Sequence, residues 1–172
     1  MASQQFATTS TPVSVLVEQI DAGELALPDL QRPFVWKRTA IRDLLDSLYR
    51  GYPAGYLLFW RTSNDVDSHK IGTDPDIKRK SKMIVDGQQR LTSLYAVIKG
   101  KQVINENNEE QFIRIAFNPL NEEFRVANAS SDKNPEFISS VSDIWSSPSL
   151  FKFITDFITC LLYTSPSPRD RG

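Results

Sequence analysis

The chain has 172 residues, 40% of them hydrophobic and 10% aromatic, enough apolar material to give one domain of ordinary size a substantial core. Twenty basic against twenty-one acidic residues leave a formal net charge of -1, so no global field draws the chain to nucleic acid or to an anionic membrane, and any DNA contact has to be local or made by another domain. One cysteine and one histidine exclude a disulfide framework and a zinc site built from several Cys and His ligands.

No apolar run reaches the roughly 18 residues of a membrane span. The start Met1-Ala2-Ser3-Gln4-Gln5 lacks the basic stretch and apolar core of a secretory leader, so the cytoplasm is the expected compartment. Apolar positions Val13, Val15, Leu16, Val17 and Ile20 predict a short first helix between Thr11 and Ala22, with Thr11-Pro12 as cap and first turn and Gly23 as its stop. Leu25-Ala26-Leu27-Pro28 reads as a brief extended piece, and Pro28 and Pro33 bracket the irregular segment Asp29-Leu30-Gln31-Arg32. From Lys37 to Tyr49 the residues Ala40, Ile41, Leu44, Leu45, Leu48 and Tyr49 recur at three and four, which predicts a helix with Arg38, Arg42, Asp43 and Asp46 on its other side. Gly51-Tyr52-Pro53-Ala54-Gly55 then turns the chain into Tyr56-Leu57-Leu58-Phe59-Trp60, a strand of the buried type.

The stretch from Thr62 to Lys82 is polar and reads as an exposed loop; its basic run Lys78-Arg79-Lys80-Ser81-Lys82 reads as a solvated charge run, with a phosphate or nucleic-acid patch as the alternative, and His69 has no partner pattern that would make it a catalytic base. The apolar run Met83-Ile84-Val85 predicts a strand, and the periodic segment beginning at Leu91 a helix that Gly100 ends. Phe112 to Phe117 and Glu123 to Ala127 alternate and are separated by Asn118-Pro119-Leu120-Asn121-Glu122, which predicts a hairpin. Ile138 to Ile158 reads as helical with a break at Ser146-Ser147-Pro148. Strands and helices mixed in this way, with short connections, give a compact α/β or α+β domain.

Between the strand at Met83 and the helix from Leu91 lies Asp86-Gly87-Gln88-Gln89-Arg90. A strand that stops at Asp-Gly and restarts as a helix is the arrangement of a phosphate cradle. The free N–H groups and positive dipole end of the helix face whatever sits above the turn, and Arg90 adds a planar fork of donors. Gln88 and Gln89 offer amide donors and acceptors to phosphate oxygens or a base edge, and Asp86 can cap the turn or hold a metal or a ribose. A capped helix with an arginine in a surface pair fits the same residues. In Leu27-Pro28-Asp29-Leu30-Gln31-Arg32-Pro33-Phe34-Val35-Trp36 two prolines stiffen a loop that carries Gln31 and Arg32, and Phe34 and Trp36 serve either to dock that loop or as a hydrophobic staple before the next helix.

These two blocks, with Leu44-Leu45-Asp46-Ser47-Leu48-Tyr49-Arg50-Gly51-Tyr52-Pro53-Ala54-Gly55 between them, resemble in order and spacing the N-terminal domain family of GmrSD-type restriction endonucleases. The resemblance covers roughly residues 10 to 130 and extends plausibly to Thr159. It implies a ParB/sulfiredoxin-like fold, a small mixed sheet flanked by helices, and binding and hydrolysis of a nucleoside triphosphate coupled to cleavage of modified or foreign DNA. In that family the Asp-Gly-Gln-Gln-Arg block handles the nucleotide. The resemblance therefore assigns Gly87, Gln88, Gln89 and Arg90, with Gln31 and Arg32, to nucleotide binding, Asp86 and Arg90 to catalysis, and Asp86 to any Mg²⁺. Relatives end in an HNH-type nuclease, which needs clustered His and Asn with a metal, and nothing in this sequence matches it. DNA is then a partner through the full-length protein or a partner nuclease. The alternative is a binding module without catalysis that gates such a nuclease.

The tail from Cys160 to Asp170 can be back-translated into a string that resembles a transposon-end sequencing adapter read in frame. The native reading frame is therefore expected to be cut at about Thr159, with residues 1–159 one truncated domain and residues 160–172 foreign to it. A Ser/Pro-rich linker would have the same composition.

Overall fold

The structure, a computed structural model, describes residues 6–26, 34–61 and 82–164. Gln31, Arg32, His69 and the basic residues Lys78, Arg79 and Lys80 lie outside the described residues. In chain order the elements are α1 (Val13–Asp21), β1 (Leu25–Ala26), α2 (Arg38–Tyr49), β2 (Leu58–Arg61), β3 (Lys82–Asp86), α3 (Gln88–Lys99), β4 (Gln102–Ile104), β5 (Glu110–Phe112), β6 (Ile115–Asn118), β7 (Glu123–Val126), α4 (Ala129–Lys133), α5 (Val141–Ser146) and α6 (Leu150–Thr164). This is the mixed α/β class that the sequence predicts. The chain divides into two compact units, one of Met1–Asp29 with Leu57–Gln88, the other of Leu30–Tyr56 with Gln89–Gly172.

In the first unit α1 buries Leu16 and Val17, on the stripe that the apolar spacing marks. Pro12 itself stands at the N-cap, and no side chain caps the helix, so Thr11 does not have the capping role expected of it. The far end closes as a Schellman turn: the Gly23 N–H donates to the Ile20 carbonyl at 3.0 Å and the Glu24 N–H to the Gln19 carbonyl at 2.9 Å. The chain then enters β1, parallel to β3, with Leu25 beside Lys82 and Ala26 beside Met83. β2 runs antiparallel along the other side, giving the order β1-β3-β2 with Ile84 of the central strand buried.

The Tyr56 to Trp60 segment departs from expectation. The strand begins at Leu58, and Leu58 and Trp60 are 47% and 64% exposed, as are Met83 and Val85 of β3 at 44% and 49%. A continuous apolar run signals two covered faces only where both faces of the sheet are packed. Among the described residues β2 pairs with β3 alone, and these four side chains are exposed.

In the second unit α2 buries Ile41, Leu44 and Leu45, and α3 buries Leu91, Leu94, Ala96, Val97 and Ile98. α2 packs on β7, where Tyr49, Phe117 and Phe124 form a ring cluster with centroids 5.5, 5.6 and 4.6 Å apart. The hairpin of β6 and β7 is present in register, with Phe117 opposite Phe124. The single strand expected from Phe112 to Phe117 is instead two. Phe112 ends β5, which pairs with β4, and Ile115 opens β6, which pairs with β7. Ile113 and Ile115 are both buried, so alternation runs unbroken through the point where the partner strand changes. A period of two reports a face, not a partner.

The last segment is helical from Val141 rather than from Ile138, because the Ile138 backbone bonds to Phe117, donating at 2.8 Å and accepting at 3.0 Å. The break between α5 and α6 falls at Ser147-Pro148-Ser149, as the sequence suggests. α6 continues through Thr159 to Thr164, and none of its residues is buried. Short α4 has no counterpart in the periodicity. It is started by a capping box in which the Asn128 side chain accepts from Ser130 N–H at 2.9 Å and Ser131 N–H at 3.0 Å, while the Ser131 hydroxyl accepts from Asn128 N–H at 2.9 Å.

Asn118 is the buried polar group that shapes the hairpin turn. At 1% exposure, its Oδ1 accepts from the Leu120 N–H at 2.8 Å and the Asn121 N–H at 3.2 Å, and its Nδ2 donates to Glu136 Oε2 at 3.2 Å. Asn118→Ala removes all three bonds, and we expect it to cost about 2 kcal/mol. Urea unfolding checks this: the midpoint should fall with the slope unchanged.

Candidate functional site

The motif residues Asp86, Gly87 and Gln88 belong to the first unit, and Gln89 and Arg90 to the second. Asp86 is the last residue of β3, is exposed, and lies opposite Leu58 in the sheet. Gly87 follows with φ of +86°, a conformation in which a Cβ would be strained, so glycine here is required by the sharp passage from strand to helix. Gln88 opens α3, and its Nε2 donates back to the Ile84 carbonyl at 3.4 Å. Strand, left-handed turn and helix start thus follow one another as the sequence predicts, with the first N–H groups of α3 directly after the glycine.

The remaining two residues are engaged with backbone. Gln89 Oε1 accepts from the Val35 N–H at 3.3 Å, and the Phe34 N–H beside it donates to the Ile104 carbonyl at 3.1 Å. The Gln89 carbonyl accepts from the Ser93 hydroxyl at 2.6 Å, one turn along the buried side of α3. Arg90 reaches the Gly51 to Tyr56 segment: Nη1 donates to the Ala54 carbonyl at 2.6 Å and Nη2 to the Tyr56 carbonyl at 2.8 Å. The two acceptors flank Gly55, whose φ is +83°. A Cβ on Gly55 would collide with Arg90 Nη1 and stand 3.4 Å from its Cζ, so the missing side chain is the space that the guanidinium fills.

The two sequence blocks that precede the turn therefore each meet the start of α3 in a definite way. The end of the Phe34-Val35-Trp36 block is tied by Gln89, and the end of the Leu44 to Gly55 block by Arg90. The parts that sequence reading missed are the Val35 N–H and the Ala54 and Tyr56 carbonyls. Backbone groups carry no residue signature, and the only trace was Gly55 itself. The Ala54 and Tyr56 carbonyls set the direction of the Arg90 fork. Among the described residues no group of three or more His, Cys, Asp or Glu side chains could hold a metal ion, and no helix is long and apolar enough to cross a membrane.

Residues 13–161 match the family described as GmrSD restriction endonuclease, N-terminal domain, and the chain belongs to that family. It is also similar to the uncharacterized protein MJ0686 of Methanocaldococcus jannaschii, 33% identical over 92 residues, a match that covers 48% of this chain and 16% of that protein. The chain thus spans a small part of the length of its curated relative. No solved structure matches the chain.

Arg90→Ala deletes two charge-assisted bonds to carbonyls, and we expect a loss of about 2–3 kcal/mol. Gly55→Ala should cost a similar amount, because it strains the backbone and displaces the guanidinium together. The double variant should then be more stable than the summed losses by about 1–2 kcal/mol. Chemical denaturation of the four proteins checks this, and strict additivity would contradict the shared contact.

Proposed function

We propose that this domain binds a nucleoside triphosphate at the Asp86-to-Arg90 turn and serves as the regulatory, NTP-hydrolysing part of a modification-dependent restriction protein that acts in phage defence. The observation that carries this reading is the passage from β3 through Gly87 at φ +86° straight into the N-terminus of α3, a local geometry suited to phosphate oxygens. In this reading the backbone at Gly87 and the Gln88 amide face the phosphates, and Arg90 supplies fixed positive charge. Gln31, Arg32 and Gln89 complete the binding set. Membership of a restriction-endonuclease family supports the link to DNA, reached through the rest of the full-length protein or a partner nuclease.

Mg²⁺ fits the donor chemistry in a limited way. Such an ion takes one or two carboxylates with the substrate's phosphates and water, and Asp86 offers one exposed carboxylate at the turn. When bound there it would supply charge neutralisation at the phosphates. Asp86 also stands as the candidate that positions the attacking water, with Arg90 as its electrostatic partner.

A second reading, binding without hydrolysis that gates a nuclease, is favoured by the commitment of two Arg90 donors to Ala54 and Tyr56 and by the lack of a Walker lysine motif in the sequence. Titration with ATP and GTP, combined with measurement of phosphate release, separates the two: saturable binding with no release selects the gating module. Arg90→Ala, verified as folded by circular dichroism, should weaken nucleotide binding by tenfold or more, and Asp86→Asn should remove its Mg²⁺ dependence. Unchanged nucleotide binding in Arg90→Ala would overturn the assignment.

A further inference from the structure

We propose that Tyr56 is the stacking platform for the nucleobase of the bound nucleotide, an inference that rests on the nucleotide reading of the turn. Tyr56 is 84% exposed, among the most open large side chains of the described residues. A tyrosine ring so placed leaves its apolar faces in water. Tyr49 of the same unit, 50% exposed, packs its ring against Phe117 and Phe124. Tyr56 makes no such ring contact, and its hydroxyl has no hydrogen-bond partner among the described residues.

The backbone of the same residue is held firmly. Its carbonyl accepts from Arg90 Nη2 at 2.8 Å, and Ala54, two residues earlier, accepts from Nη1 at 2.6 Å. The motif's arginine thus fixes the backbone of the residue that carries this exposed ring. The neighbouring Tyr52, 62% exposed, stands on the same segment. A nucleotide needs a cation for its phosphates and, a short distance away, a flat apolar face for its base. Arg90 and Tyr56, joined by one hydrogen bond, provide both. Aromatic stacking tolerates any base, because each has a π face, and a phenol adds a polar edge for preference among them.

Because the ring is exposed, Tyr56→Ala should fold normally, and the carbonyl that Arg90 uses is retained. Binding of ATP, GTP and inorganic tripolyphosphate to wild type, Tyr56→Ala and Tyr56→Phe tests the proposal. We expect Tyr56→Ala to bind both nucleotides roughly tenfold more weakly, Tyr56→Phe to stay within a few-fold of wild type, and tripolyphosphate to bind all three alike. Equal nucleotide affinity in wild type and Tyr56→Ala would overturn the platform while leaving the triphosphate reading intact, as would a loss that extends equally to tripolyphosphate. If the wild-type protein binds neither nucleotides nor tripolyphosphate, the triphosphate reading fails and the platform with it.

Discussion

The guanidinium of Arg90, seated between two carbonyls in the space that Gly55 leaves open, is the constraint on which the local architecture of the motif depends. An arginine at the first turn of a helix can point anywhere that its long stem allows. This one is held by the only part of another segment that cannot vary with sequence, its main chain. The arrangement demands a residue without a Cβ at one position and a planar, doubly donating cation at the other. Lysine could satisfy one carbonyl but not the fork. The bond also gives the Gly51 to Tyr56 turn a reason to exist in its particular form, since a left-handed residue between two inward carbonyls is an unfavourable choice without a donor to receive them.

A consequence is that motif residues have mixed duties. Gln89 and Arg90, which the sequence offers as ligand-contacting groups, are tied to Val35, Ala54 and Tyr56. Gly87 and the helix start carry the features that an anion would meet. A preformed turn of this kind lowers the ordering cost of binding, and every tie that holds it also limits how far it can adapt.

Much of the fold was legible because it follows from periodicity and punctuation. α2 stands within a residue of its predicted ends, α3 begins three residues before Leu91 and ends ahead of Gly100 as expected, the β6–β7 hairpin is in place, and Gly23, Gly51 and Gly100 each sit just past a helix end. What was not legible has common causes. β4 is three residues long, too short for a period to show, whereas β1 falls in the extended piece read at Leu25. Tyr56 to Trp60 has the composition of a covered strand, but composition cannot say whether a second layer arrives to cover it. The division of Phe112 to Phe117 between two hairpins depends on which neighbouring strand each half pairs with, and alternation does not name a partner. At the site, the order of the blocks and the left-handed glycine were readable, whereas the contacts that organise them run from side chain to main chain, where one residue type looks like another.

α6 illustrates a different consequence of exposure. Its fifteen residues are strongly apolar, yet none is buried; Phe153, Phe157 and Leu161 are half-covered, while Leu150, Phe151, Ile154, Ile158 and Leu162 are open. A helix of this length is marginal in water without a packed face. Its hydrogen bonds therefore open at a small fraction of the free energy that unfolds α3, and amide exchange in this chain divides into two tiers. Protease would reach the segment from Leu150 onward long before it reaches the buried helix behind the motif, leaving a shorter core in which the turn persists.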